Sequence, residues 1–187
     1  MPDIVSVGIV IDTQTILATH PHPSRDPDRP TFVAHDTCYM IGQSAYVSDG
    51  QATAHLQIEV PDLLPIRWRS LSLSGNAGQS AVLYHIHKHE PRSMLSPIAA
   101  IEVPCELPLP ILVDGFNTDP PSFSAVPSQL YFLEARIERA GTERLHVQFY
   151  VTVDDDSNGQ PAIAGCFDWH ARLTVAVGQG RSMPTTS

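Results

Sequence analysis

The chain has 187 residues and a mass of 20.4 kDa, with 11 basic against 20 acidic side chains, and its net charge of −9 argues against nucleic acid or an anionic membrane surface as a partner. A chain of this size buries roughly 70% of its unfolded surface, enough for one core without staples. Cys38, Cys105 and Cys166 are an odd number with no CxxC pair, which argues against a disulfide framework and a zinc knuckle, and all three are expected as small buried hydrophobes.

From the N-terminus, Met1-Pro2-Asp3 places an acid where a secretory signal carries basic residues, and no stretch approaches the ~20 apolar residues of a membrane helix. The expectation is a cytoplasmic protein without a signal peptide. Alternating or β-branched segments predict strands at residues 4–11, 38–47, 52–60, 64–73, 81–88, 130–137, 145–153, 162–169 and 172–177. The clearest cases put Ala54, Leu56, Ile58 and Val60 on one face, and Leu145, Val147, Phe149, Val151 and Val153 on another, with His55 and His146 outward. The only helix-like piece of note is residues 13–18. About nine short strands with one-sided alternation predict an all-β fold, an antiparallel β-sandwich, as one domain over residues 1–177 with a disordered tail at 178–187.

Two proline-rich stretches, residues 19–31 and 104–127, lack backbone donors at many positions and are expected as surface loops or arms. The second carries Leu107, Leu109, Ile111, Leu112 and Val113, too apolar for an ordinary loop, so it is expected to cover a sheet edge or enter a subunit interface.

Three groups of residues have chemical potential. His85, His87 and His89 alternate along one predicted strand and project from one face about 7 Å apart, a candidate metal-binding row with Glu90, His55 or His146 as further ligands. A solvated strand face explains the same residues without a metal. Trp68, between Arg67 and Arg69, reads as core; an exposed Trp68 or Trp169 beside Asn76 or Asp168 would instead form an aromatic platform suited to a sugar. Asp154 to Gly159 begins like a calcium loop but lacks its closing Glu, and a hairpin turn on Asn158-Gly159 accounts for it. No GxSxG, HExxH, phosphate loop or dinucleotide fingerprint is present, so no catalytic residue and no cofactor is assigned.

Several strings occur together: His20-Pro-His-Pro-Ser-Arg-Asp-Pro-Asp-Arg-Pro-Thr31, Tyr39-Met-Ile41, Ile66-Arg-Trp-Arg-Ser-Leu-Ser-Leu-Ser-Gly-Asn76 and Val82-Leu-Tyr84. Towards the C-terminus come Phe132-Leu-Glu-Ala135, Gly141-Thr-Glu143, Val147-Gln-Phe149 and Gly165-Cys-Phe-Asp-Trp169. In this order the chain resembles the inclusion body protein family of the AidA and PixA type. It departs from the pattern at His170-Ala171, where relatives tend to have Asp-Pro. The resemblance implies an all-β fold, self-association as a homo-oligomer (a dimer is favoured), location in inclusions, and a non-enzymatic role linked to stationary phase or quorum sensing and to hosts. The alternatives are a carbohydrate-binding sandwich and a metal-dependent enzyme built on His85, His87 and His89.

Overall fold

The computed structural model describes residues 3–75, 77–89, 92–111, 122–155 and 160–178. Among the described residues, eleven strands, one short α-helix and a 3-10 turn at His35–Thr37 occur; the strands and helix follow in the order β1 (Val5–Ile11), α1 (Thr13–Thr19), β2 (Thr31–Phe32), β3 (Cys38–Gly42), β4 (Val47–Asp49) and β5 (His55–Val60). Then come β6 (Pro65–Ser72), β7 (Gln79–Lys88), β8 (Ala99–Pro110), β9 (Phe123–Arg136), β10 (Gly141–Asp155) and β11 (Gln160–Val177). One sheet has the order β3-β1-β6-β9-β8; the other runs β4-β5-β11-β10-β7, with β2 also beside β11. The inward residues of both sheets, led by Trp68, Trp169, Phe149, Phe167 and Ile9, are fully buried between them.

The sandwich holds, but its sheets are mixed rather than purely antiparallel. β1 runs parallel to β6, and β11 runs parallel to β5 and β2. Parallel neighbours need a long crossover. The chain between β1 and β6 supplies one by passing through the other sheet as β2, β4 and β5. The two strands expected at 162–169 and 172–177 are one continuous strand, β11, whose inward series Phe167, Trp169, Ala171, Leu173 and Val175 is unbroken. α1 starts where Asp12 Oδ1 accepts from the Thr15 amide at 3.0 Å, and it turns Ile16 into the core.

In its described residues, neither proline-rich stretch is a free loop. Around residues 23–33 the first lies along β11: Cys166 N donates to Ser24 O at 2.7 Å, Val33 N to Asp168 O at 3.0 Å, and Tyr84 Oη to Pro27 O at 3.0 Å. This contact requires a glycine at 165, because a Cβ there would lie 2.6 Å from Pro23 Cγ and 3.0 Å from Phe167 Cε2. Gly165→Ala is therefore expected to destabilise the fold by about 1–3 kcal/mol through overpacking. Urea unfolding would check it; a loss within ~0.5 kcal/mol, as at an ordinary surface site, would contradict the close approach.

In its described residues the second stretch is corrected from arm to strand. Residues 104–110 and 123–127 belong to β8 and β9, which pair from Ala99↔Glu134 to Pro110↔Phe123 without a register shift. Ile111 N donates to Ser122 O, so the odd-numbered residues of β8 point their amides at β9. Pro104, Pro108 and Pro110 are all even-numbered and use the register whose N–H would face outward, the position at which an edge strand tolerates proline. Pro127 lies opposite even-numbered Glu106 and obeys the same rule.

Cys38 and Cys166 are fully buried, and burial pushes the Cys38 thiol up to about 12. Cys105, on β8, is only half-buried, which corrects its expected place in the core. Leu112, Val113, Asn76, Glu90 and the tail beyond Gly178 lie outside the described residues.

Candidate functional site

Strand alternation sends Leu145, Val147, Phe149 and Val151 of β10 into the core and leaves His146 and Gln148 on the outer face of the second sheet. Cross-strand register then builds rows on that face. β10 pairs His146 with His87 on one side and His170 on the other; the next row is His85, Gln148 and Asp168. Below them Arg144 pairs with Arg172, which pairs in turn with His55, while the His89 amide donates to Arg144 O at 3.2 Å. Of the nine histidines, His35, His55, His85, His87, His89, His146 and His170 lie on this face or line its cleft.

The cleft has a volume of about 440 Å³ and is lined mainly by His35, His55, His89, His146, His170 and the two arginines Arg144 and Arg172. At its base His146 Nδ1 lies 3.1 Å from Asp168 Oδ2, and His170 Nε2 lies 3.8 Å from the same oxygen. The His146 and His170 rings meet at 4.0 Å between centroids. Phe32, brought in by β2, packs edge-on against His170 at 4.7 Å. Burial first, and then the neighbouring His146 imidazole, hold His170 below the ordinary histidine pKa, against the opposing pull of Asp168. Burial and His87 lower His85 in the same way.

The expected row His85, His87 and His89 does not come together as one group. His85 Nε2 and His87 Nδ1 approach to 3.1 Å, whereas His89 stacks on His146 at 6.1 Å between centroids. Side chains two apart on β7 do meet at His85 and His87, but His89 leaves that row for the cross-strand neighbour His146. Among the described residues the donor set that converges is His146, Asp168 and His170, whose ligand atoms all lie within 4.8 Å of one another. His170 carried no sequence signal because it fell in the gap drawn between two strands.

Trp68 and Trp169 are both 0% exposed, so neither presents a ring to solvent, and the aromatic platform expected of a carbohydrate site is not formed. Asp168 does face outward, but its partner is His146 and not a sugar-stacking ring.

The first sheet presents a different surface. β9 pairs with β6 only from Leu133 to Arg136, so beyond that point β8 and β9 project as a two-stranded ribbon. One of its faces carries Leu107, Leu109, Ile111 and Val126, which are 40–50% exposed. It continues onto the half-buried Ile101, Val103, Leu130 and Phe132, and Arg67, paired with Glu134, lies over the Phe132 ring at 5.6 Å. The other face of the ribbon carries Pro108, Pro110, Ala125 and Phe123, the last 58% exposed. No helix among the described residues is long and apolar enough to cross a membrane.

Fold and surface together define a two-layer β-sandwich protein of mixed sheets with a histidine-lined face on one side and an apolar ribbon on the other. The family described as PixA, inclusion body protein, matches residues 3–175. The chain belongs to this family of inclusion body proteins, as its motifs led one to expect; it is not a known enzyme family. The crystal structure of a PixA inclusion body protein from Burkholderia cenocepacia J2315 has the same fold, with a TM-score of 0.72 at 19% identity over 94% of this chain and 96% of that one. Among curated proteins nothing matches the chain.

Proposed function

We propose that this protein is a non-catalytic, self-associating inclusion body protein of the cytoplasm, and that two copies dock through the β8–β9 ribbon. The observation that carries the reading is the ribbon itself. A two-stranded β-ribbon in water is marginal on its own, yet this one extends ten paired positions beyond β6, from Ile101↔Phe132 to Pro110↔Phe123, and exposes Leu107, Leu109, Ile111 and Val126 on one face and Phe123 on the other. A second copy laid on the face of Leu107, Leu109, Ile111 and Val126 would bury those four side chains and brace the strands. Pro104, Pro108 and Pro110 remove donors from the outer edge of β8, so association by edge-to-edge strand addition is blocked and face-to-face packing is favoured. Membership of a family of inclusion body proteins supports assembly; regulation by cell density and a role towards hosts rest on the resemblance alone.

Light scattering after size-exclusion chromatography tests this. The wild-type protein is expected to elute as a dimer or larger, and Leu109→Asp with Val126→Asp to shift it to monomer. The dissociation constant should rise by at least about 30-fold, the effect of losing one interface hot spot of ~2 kcal/mol. Because these side chains are exposed, unfolding midpoints of the monomeric fold should change little. A wild-type protein that remains monomeric at its highest soluble concentration would end the proposal.

A further inference from the structure

A metal centre requires donors of suitable chemistry held at the spacing set by the metal's bond lengths. Nitrogen and oxygen ligands at 2.0–2.1 Å around a tetrahedral zinc ion lie about 3.3 Å from one another. The separations of 3.1 Å and 3.8 Å from Asp168 Oδ2 to His146 Nδ1 and His170 Nε2 bracket that value. Small side-chain rotations would suffice to bring all three onto one ion, since no pair of donor atoms is more than 4.8 Å apart.

The supports are rigid. His146 and His170 face each other in the β10–β11 ladder, Asp168 is two residues from His170 on the same face, and Phe32 packs against the His170 ring. A second observation points the same way: Asp168 Oδ1 is buried and has no hydrogen-bond partner. A buried acceptor left unsatisfied is unfavourable and calls for a cation or water beside it. Two imidazoles and one carboxylate match zinc and its late first-row neighbours, whereas calcium and magnesium prefer all-oxygen shells.

We propose that His146, Asp168 and His170 bind a divalent transition-metal ion of the zinc class, with the remaining coordination position open to the histidine-lined cleft. His146 and His170 both line that cleft, so solvent reaches the ion from their side. Arg144 and Arg172 line it too, and they favour water or an anion as the ligand completing the shell. The site is on the opposite sheet from the apolar ribbon, so it stands or falls independently of self-association.

The test uses the full-length chain with no affinity tag, stripped with chelator and titrated with Zn²⁺ by calorimetry and thermal unfolding. One equivalent is expected to bind, with a rise in Tm of about 5–10 °C at a hundredfold excess of free metal over Kd, and with no response to Ca²⁺. His146→Ala, His170→Ala and Asp168→Asn should each weaken Zn²⁺ binding by at least about 10–100-fold, a loss that even outer-shell changes produce. His170→Gln serves as a second variant should alanine disturb folding. His85→Ala with His87→Ala should leave the affinity unchanged. Absence of binding, an unchanged affinity in the His170 variants, or loss of binding only in the His85/His87 variant would overturn the proposal.

Discussion

Alanine in place of Trp68 or of Trp169 is expected to lower stability by about 3–5 kcal/mol, the range for deleting a large buried aromatic. Both side chains are fully buried, one from each sheet. Trp68 stands in register between Val7 of β1 and Leu133 of β9; Trp169 pairs with Val147 of β10. Removing either leaves a void that backbone ladders on both sides prevent from collapsing. Since domains are stable by only about 5–15 kcal/mol, the loss is a large share of the total. In urea the midpoint should fall with the slope unchanged. The two indoles carry a further signature: neither Trp68 Nε1 nor Trp169 Nε1 has a hydrogen-bond partner. Phenylalanine removes that buried donor, whose unmet hydrogen bond costs about 1–3 kcal/mol, so Trp68→Phe should be less than half as damaging as Trp68→Ala. A loss below ~1 kcal/mol in the alanine variants would contradict the burial and reopen the question of an exposed aromatic platform.

Glu143→Ala is expected to cost about 3–5 kcal/mol, because two hydrogen bonds to a buried carboxylate, each of ~1.5–3 kcal/mol, are lost together. Glu143 is 1% exposed and accepts from Ser93 Oγ at 2.6 Å and from Met94 N at 3.0 Å. These contacts fix the segment that carries the chain from β7 in one sheet to β8 in the other. The same segment is held by Lys88 Nζ on the carbonyls of Leu95 and Ser96, and by Glu138 N on Met94 O. Met94 and Leu95, at 2% exposure, close the bottom of the core. Both donors converge on Oε2, so the single acceptor oxygen of glutamine can keep both bonds in neutral form and the loss should be about half as large. Beyond the unfolding midpoint, faster hydrogen exchange at the Met94 amide would show that the effect is local to this crossing; unchanged exchange there would show that Glu143 acts elsewhere.

The strands themselves were legible because their signal is local. Period-2 alternation at Leu56, Ile58 and Val60, and at Leu145, Val147, Phe149 and Val151, assigns core faces that the structure reproduces. Two long elements were not legible for opposite reasons. β8 was hidden because proline argues against a strand, and only its position at an edge, with every proline on the outward-facing register, makes the strand admissible. β11 was split at His170-Ala171, although its inward series continues through that point. The histidine site failed at register. Counting back from the Asp155↔Gln160 pair without the irregularity between Val151 and Thr152 sets His146 opposite Trp169; the one-residue shift is what places it opposite His170.

By itself, then, the sequence determined that the chain is a β-sandwich, which side of most strands is apolar, that the tryptophans have core neighbours on their own strands, and which family it resembles. All of these depend on side-chain order within a few residues. Only the tertiary structure decided that the sheets are mixed, that the proline-rich arm is a projecting ribbon, and that the histidines converging with Asp168 are His146 and His170 rather than the row on β7. Those outcomes depend on which strands become neighbours and in what register, and no single strand carries that information.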